Sequence, residues 1–262
     1  MPQATLPDYG PQGLPAIHRV AETRVPRWLA AGWRDFRAHT AVSLGYGTLV
    51  LMLLYAALWL SWQAPQFILS FFSGLLLVGP FLATGFYEIS RRREVGEPVS
   101  LRPVLFAWRR NTAGFALFAV FVGILALVWI RFTSVLAALA FIGSAPGGFA
   151  LDFPTLFQSR AGLTFLAVFL LCGAMLAAAV FTCSAIALPM LLDRGASPVT
   201  AIAASVRAVR DNPAAMTVWA ATIVALTGIG MATGLLALIV VLPLIGHATW
   251  HAYRALIDEG GA

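Results

Sequence analysis

The chain contains no lysine; all 17 of its basic residues are arginine. Charge of either sign is scarce: 11% of residues are charged and 60% are hydrophobic. Soluble domains carry about a quarter charged residues, so an ordinary water-soluble globule is excluded. Acids are the scarcer sign, 11 in all, and the net charge is +6. Cysteine is nearly absent. Cys172 and Cys183 lie in one predicted helix, about 16 Å apart along it. That is beyond the ~7 Å that a disulfide spans, so the two cannot bridge to each other. A phosphate-binding glycine loop, a nucleophile elbow and paired catalytic acids are all missing, and no enzyme or cofactor is expected; a metal- or haem-associated protein through His247 and His251 is a distant third reading. No leader is expected either: the first apolar run starts near Ala41, behind a polar and basic segment too long for a cleavable signal.

What is present is apolar sequence in long runs. Mean hydropathy is +0.85. Several runs exceed ~18 residues without a charge, enough to cross about 30 Å of hydrocarbon as a helix. They are continuously apolar rather than alternating, which predicts helices and not a barrel. The arginines flank these runs. That placement suits an anionic membrane surface and excludes nucleic acid as a partner. The all-arginine usage fits a GC-rich genome or a need for bidentate phosphate contacts.

Residues 1–25, with Pro2, Pro7, Pro11, Pro15, Gly10 and Gly13, read as a flexible cytoplasmic tail. Residues 26–257 read as one transmembrane domain, and 258–262 as a short tail. Expected spans are 41–62, 66–89, 112–130 and 161–192, then a run of about 40 residues after Asn212-Pro213 that is long enough for two. Residues 132–143 are apolar but too few to cross alone. Gly228, Gly230 and Gly234 could turn the last run into a hairpin, or pack within one long helix.

Residues 96–111 (GEPVSLRPVLFAWRRN) and 196–211 (ASPVTAIAASVRAVRD) align at an offset of 100, pairing Pro98 with Pro198 and Arg110 with Arg210. Each reads as a short basic amphipathic helix before a span. A third such helix is PRWLAAGWRDFRAH (26–39). There Trp28, Leu29, Trp33 and Phe36 share a face, and Arg27, Arg34 and Arg37 occupy the rest, a pattern suited to the headgroup layer. The repeat units are then 26–89, 98–192 and 198–256, with Pro80, Pro189 and Pro243 near the ends of the returning spans. The predicted fold is all-α, a polytopic helical membrane protein. It has six transmembrane helices as three hairpins, each preceded by a cytoplasmic amphipathic helix; five spans is the alternative. Fourteen arginines lie before the first span or in segments 90–111 and 193–213, and only Arg131 and Arg160 on the other side. The positive-inside rule puts the N-terminus in the cytoplasm.

GPFLATGFYEISRRREVGEP (79–98), LPMLLDRGASPVTAIAASVRAVRDNPAAMTVWA (188–220) and LPLIGHATWHAYRAL (242–256) resemble a family of predicted bacterial integral membrane proteins, domain of unknown function twenty-one eighty-nine. The resemblance implies a multi-pass protein of the bacterial inner membrane and brings no catalytic residue, ligand or partner.

Three groups of side chains carry candidate chemistry. His247 and His251 share a helix face at a spacing that can offer two imidazoles to one metal, or they belong to an interfacial belt with Trp250 and Tyr253. Arg131 closes the third span, either snorkelling at its edge or marking a polar path with Asp152. Arg34, Arg37, Arg91, Arg92, Arg93, Arg102, Arg109, Arg110, Arg207 and Arg210 are expected to face anionic headgroups. Glu88 and Asp193 read as interfacial ion pairs beside Arg91 and Arg194, and Cys172, Met175 and Cys183 as a packing stripe. The expected function is non-catalytic: a membrane-embedded interaction or lipid-associated protein, partnered by anionic lipid, by other membrane proteins or by itself. The alternative is a small-solute or ion transporter.

Overall fold

The structure is a computed structural model that describes residues 15–62, 78–142 and 153–257. Every element among them is helical. In chain order they are α1 (Val25–Ala38), α2 (Thr40–Trp62), α3 (Thr84–Glu94), α4 (Leu101–Leu105), a 3-10 segment (Ala107–Asn111), α5 (Thr112–Ala140), α6 (Phe153–Gln158), α7 (Arg160–Ser184), α8 (Ala187–Arg194), α9 (Pro198–Asp211), α10 (Pro213–Ala232) and α11 (Leu238–Ile257).

Among the described residues, four stretches are long and apolar enough to cross a membrane: Thr40–Leu60, Ala107–Ala140, Arg160–Arg194 and Pro213–Ala232. The second expected span begins outside the described residues, as do Asp152 and the 144–148 turn. The third does not stop at Arg131. α5 runs on to Ala140, because residues 132–140 hold no helix breaker and stay apolar. The last apolar run is two helices, α10 and α11, joined by a turn at 233–237. Gly234 (φ 64°) and Leu235 (φ 72°) both take left-handed backbone there. Glycine does so freely; leucine is strained by it. Leu235 is held there by complete burial and by its N–H, which donates to Gly230 O at 3.1 Å.

The short helices that precede long ones follow the repeat, with one difference. α1 meets α2 through His39 (φ −130°, ψ 41°), and α9 meets α10 through Asn212 (φ −131°, ψ 52°), nearly the same bend. α9 starts as its sequence predicts. Pro198 is the first helical residue, and Ser197 caps by accepting from Thr200 N–H at 3.1 Å. The aligned stretch 98–111 instead becomes a five-residue helix and a 3-10 turn. A helix begun at Pro98 would place Pro103 beyond its first turn, where the ring has no N–H to give and clashes with the preceding turn. The helix therefore begins at Leu101, which puts Pro103 where no N–H is needed.

The chain divides into two compact units. The first draws on Met1–Leu51, Pro80–Leu117 and Phe181–Ala262. Its centre is the second half of α11, where Gly246–Trp250, Ala252, Tyr253 and Ala255–Ile257 are buried. α1 lies against this helix at very close range. A Cβ on Gly32 would sit 2.6 Å from the backbone nitrogen of Ala248, so only glycine permits the crossing. Trp28 of α1 stacks edge-on to Trp219 of α10, with centroids 5.9 Å apart. The apolar face of α1 is thus covered largely by protein, and only Trp33 of its aromatics stays exposed. The described end of the expected tail is tied down as well. His18 N–H donates to Leu256 O (2.8 Å) and Val20 N–H to Asn212 Oδ1 (2.7 Å).

The second unit draws on Met52–Gly79 and Phe118–Val180. Within it α5 packs on α7 through rings: Trp129 lies 5.3 Å from Phe169, which lies 5.8 Å from Phe165. Leu127, Val128, Leu170 and Leu171 remain exposed, as a lipid-facing surface requires.

Candidate functional site: a buried polar core and an arginine surface

α1 turns Trp28, Ala31, Gly32, Asp35 and Phe36 inward. This is the 3–4 spacing of one helix face, and it carries a single acid into the interior. Asp35 is 2% exposed. Burial alone would raise its carboxyl pKa. Hydrogen bonds from His251 and Ser90 outweigh that and hold it below the usual carboxylate value.

Two other helices, α3 and α11, meet this carboxylate of α1 directly, and α2 joins through a relay. Ser90 of α3 donates to Oδ2 at 2.5 Å, and His251 of α11 lies 2.9 Å from the same oxygen. Arg93 of α3 pairs with Oδ1. Behind Ser90, one turn along α11 from His251, lies His247, which is fully buried. Its Nδ1 is 2.9 Å from Ser90 Oγ, and its Nε2 is 3.1 Å from Ser43 Oγ in the first turn of α2. The Ser90 proton goes to Asp35, so the Ser90 oxygen is left to accept. This assigns Nδ1–H as the donor in His247 and leaves Nε2 to accept from Ser43. Every donor in the chain Ser43, His247, Ser90 points toward Asp35.

A second cluster gathers the acids and arginines of α3. Glu88, 1% exposed, takes Arg91 in a two-pronged pair (2.8 and 3.1 Å) and Arg92 at 2.6 Å. Glu97, just past the helix, takes Arg91 at 3.0 Å and Arg92 at 3.2 Å. The Glu88 hydrogen bonds push the Arg91 guanidinium pKa above its ordinary value despite burial. Arg91 in turn lowers that of Glu97. At the end of α11, Arg254 pairs with Glu94 (2.7 Å), Trp250 Nε1 donates to Glu94 (2.9 Å), and Tyr253 donates to Asp193 (2.8 Å).

Against the sequence reading, Arg91, Arg92 and Arg93 are not a free headgroup-binding cluster. All three are paired with acids of the same unit, because Glu88 and Asp35 are buried and require counter-charges. Arg34, Arg37, Arg102, Arg109, Arg110 and Arg210 are exposed, and no acid among the described residues pairs with them in a salt bridge. Arg207 is exposed too, but pairs with Asp211 at 3.4 Å. His247 and His251 share a helix face, yet they contact different partners. Among the described residues no group of three His, Cys, Asp or Glu side chains is arranged to hold a metal. The belt is not formed: His247, Trp250 and Tyr253 are buried in protein. Arg131 lies exposed within α5, not at its end.

Asp35, Ser43 and Ser90 escape the sequence reading. For Asp35 the signal exists, a lone acid in register with Trp28 and Gly32. For the serines, nothing in the local sequence marks them.

Residues 67–193 match the model of a family described as predicted integral membrane protein (DUF2189). The match covers a little under half of the chain. The family is the same one that the three stretches resemble, and the protein is an integral membrane protein. No curated protein and no solved structure matches the chain. The family segment holds Glu88, Ser90, Arg91–Arg93, Glu94, Glu97 and Asp193. Asp35, Ser43, His247 and His251 lie outside it, so the polar core joins family and flanking sequence.

Proposed function

We propose that this is a non-catalytic, lipid-associated protein of the bacterial inner membrane, its N-terminus and short basic helices on the cytoplasmic face. The observation that carries this reading is how charge is divided. The buried acids Asp35 and Glu88 are consumed by Arg91, Arg92, Arg93 and His251. The buried imidazole has both ring nitrogens engaged by hydroxyls. Among the described residues, these buried acids and this imidazole are thus not free to act as a base. What remains available to a partner is guanidinium, on α1, on α4 with its 3-10 extension, and on α9. These helices run directly into the apolar helices α2, α5 and α10. Near an anionic leaflet each such arginine contributes roughly 1 kcal/mol of attraction, while an exposed protein–protein ion pair contributes about 0–1 kcal/mol. Arginines left without acids therefore gain most from lipid.

The test is thermal unfolding of the full-length protein in nanodiscs of phosphatidylcholine, with and without a third of phosphatidylglycerol. Anionic lipid should raise the midpoint, and 0.5 M salt should remove most of the rise. Equal midpoints in the two bilayers at low salt would rule the reading out.

A further inference from the structure

Among the exposed arginines one is built into its surroundings. The 3-10 segment Ala107–Asn111 passes into α5 with no intervening loop, so it sits at the mouth of an apolar helix. Its position is fixed from below. Asn111 Oδ1 accepts from Gly114 N–H at 3.0 Å and caps α5. Asn111 Nδ2 donates to Leu191 O (3.2 Å) and Ala196 O (2.9 Å), and Arg110 Nε to Leu192 O (3.3 Å). The last three bonds pin the segment to the carbonyl end of α8 and to Ala196 just past it. Above them stands Arg109. Its guanidinium carbon is 4.5 Å from the ring centre of Phe106 and 5.5 Å from that of Trp108. Both rings are 42% exposed, and Leu101 and Leu105 are exposed on the adjoining helix.

Two amphipathic aromatics at the mouth of an apolar helix suit the headgroup layer, where tryptophan concentrates. A guanidinium over their faces is held by cation–π attraction of about 0.5–1 kcal/mol at an exposed site, which limits its freedom before any ligand arrives. Its planar fork of N–H donors remains available and matches two oxygens of a phosphodiester. The ring faces and leucines beside it match acyl chain, which a free phosphate does not carry. We propose that Arg109, seated on Phe106 and Trp108, binds the headgroup phosphate of an anionic phospholipid, with Arg110 supplying a second positive charge. This rests on the lipid-associated reading above and assigns it one site.

The test is lipid retention by the full-length protein, released from phosphatidylcholine–phosphatidylglycerol nanodiscs into mild detergent and weighed intact by native mass spectrometry. The variants are Arg109→Gln, Arg109→Lys, the pair Phe106→Leu with Trp108→Leu, and Arg34→Gln as an exposed arginine on another helix. We expect Arg109→Gln to weaken phosphatidylglycerol retention about tenfold, equivalent to about 1.4 kcal/mol. The ring pair and Arg109→Lys should fall in between, and Arg34→Gln, which removes one surface charge but no seated guanidinium, should cost clearly less than Arg109→Gln. Unchanged midpoints in pure phosphatidylcholine would show that each variant folds. Wild-type retention in Arg109→Gln would overturn the site and leave the broader reading standing, as would equal loss in Arg109→Gln and Arg34→Gln. No preference for phosphatidylglycerol in the wild type would sink both. A further arm adds 10 mM inorganic phosphate; displacement of the lipid would show a free-phosphate site and overturn the lipid assignment.

Discussion

Asp35 is the residue on which the first unit turns. Its two oxygens receive Arg93, Ser90 and His251 from two helices other than its own. Asp35→Asn keeps the shape and removes the charge. Arg93 and His251 then lose the carboxylate charge, one of the two oxygens becomes an amide nitrogen, and its hydrogens face a donor. We expect a loss of about 1–3 kcal/mol, read as a lower unfolding midpoint in detergent. The pH dependence gives a second reading. The folded carboxyl titrates below the unfolded one, so its contribution is complete above the unfolded value, near pH 4, and fades as pH falls through the folded value. Between pH 5 and pH 3 the wild type should lose more stability than Asp35→Asn. Parallel pH profiles for the two proteins would show that the carboxylate does not hold the helices together. The pairing itself was only half legible. The four-residue spacing of His247 and His251 correctly puts them on one helix face, and the acid in register on α1 could be noticed. That Asp35, more than 200 residues away in sequence, is what His251 meets, and Ser43 and Ser90 what His247 meets, is a fact of long-range packing that no local pattern encodes.

Among the helices, contact distance decides. α1 and α11 approach so closely that a methyl group on Gly32 would overlap backbone, which cannot swing aside as a side chain can. Gly32→Ala should cost about 1–3 kcal/mol of strain. Gly45, in the second turn of α2, has open space around its Cβ position. Gly45→Ala should gain up to about 1 kcal/mol from helix propensity alone. The two midpoints should move in opposite directions; a fall in both would mean the crossing is not the cause. Local sequence anticipated α2 to within a residue, since nothing interrupts its apolar run. It anticipated the start of α9 through Ser197 and Pro198. It misjudged 98–111 because Pro98 drew the eye and Pro103, three residues into the helix that forms, decides where that helix can begin. It misjudged the face of α1 because apolar surface bound for lipid and apolar surface bound for another helix look alike when read one helix at a time.

On the scale of the whole molecule, the helices that enter and leave the first unit bear on which segments cross the bilayer. Three segments end in the first unit as mutual neighbours: α3 after the 78–82 helical residues, α8 after α7, and the second half of α11. Three short helices begin there and lead away through α2, α5 and α10. If each departure is followed by a return, the crossings are even in number. The 233–237 turn, the third far end, then lies on the face opposite α9. α11 falls short of the apolarity of the other four because His247, His251 and Arg254 sit in its second half. Its first half, Leu238–Leu244, is wholly apolar. Twenty residues of helix extend about 30 Å, sufficient for a return. With Cys172 and Cys183 replaced by serine, single cysteines at the exposed positions Val95, Val199 and Leu236 can be probed in sealed right-side-out vesicles with an impermeant maleimide. We expect Leu236→Cys to react at once, and Val95→Cys and Val199→Cys only after the membrane is opened. Should Leu236→Cys also wait for permeabilisation, α10 and α11 do not form a crossing pair, and the equivalence of the three units fails at its last member.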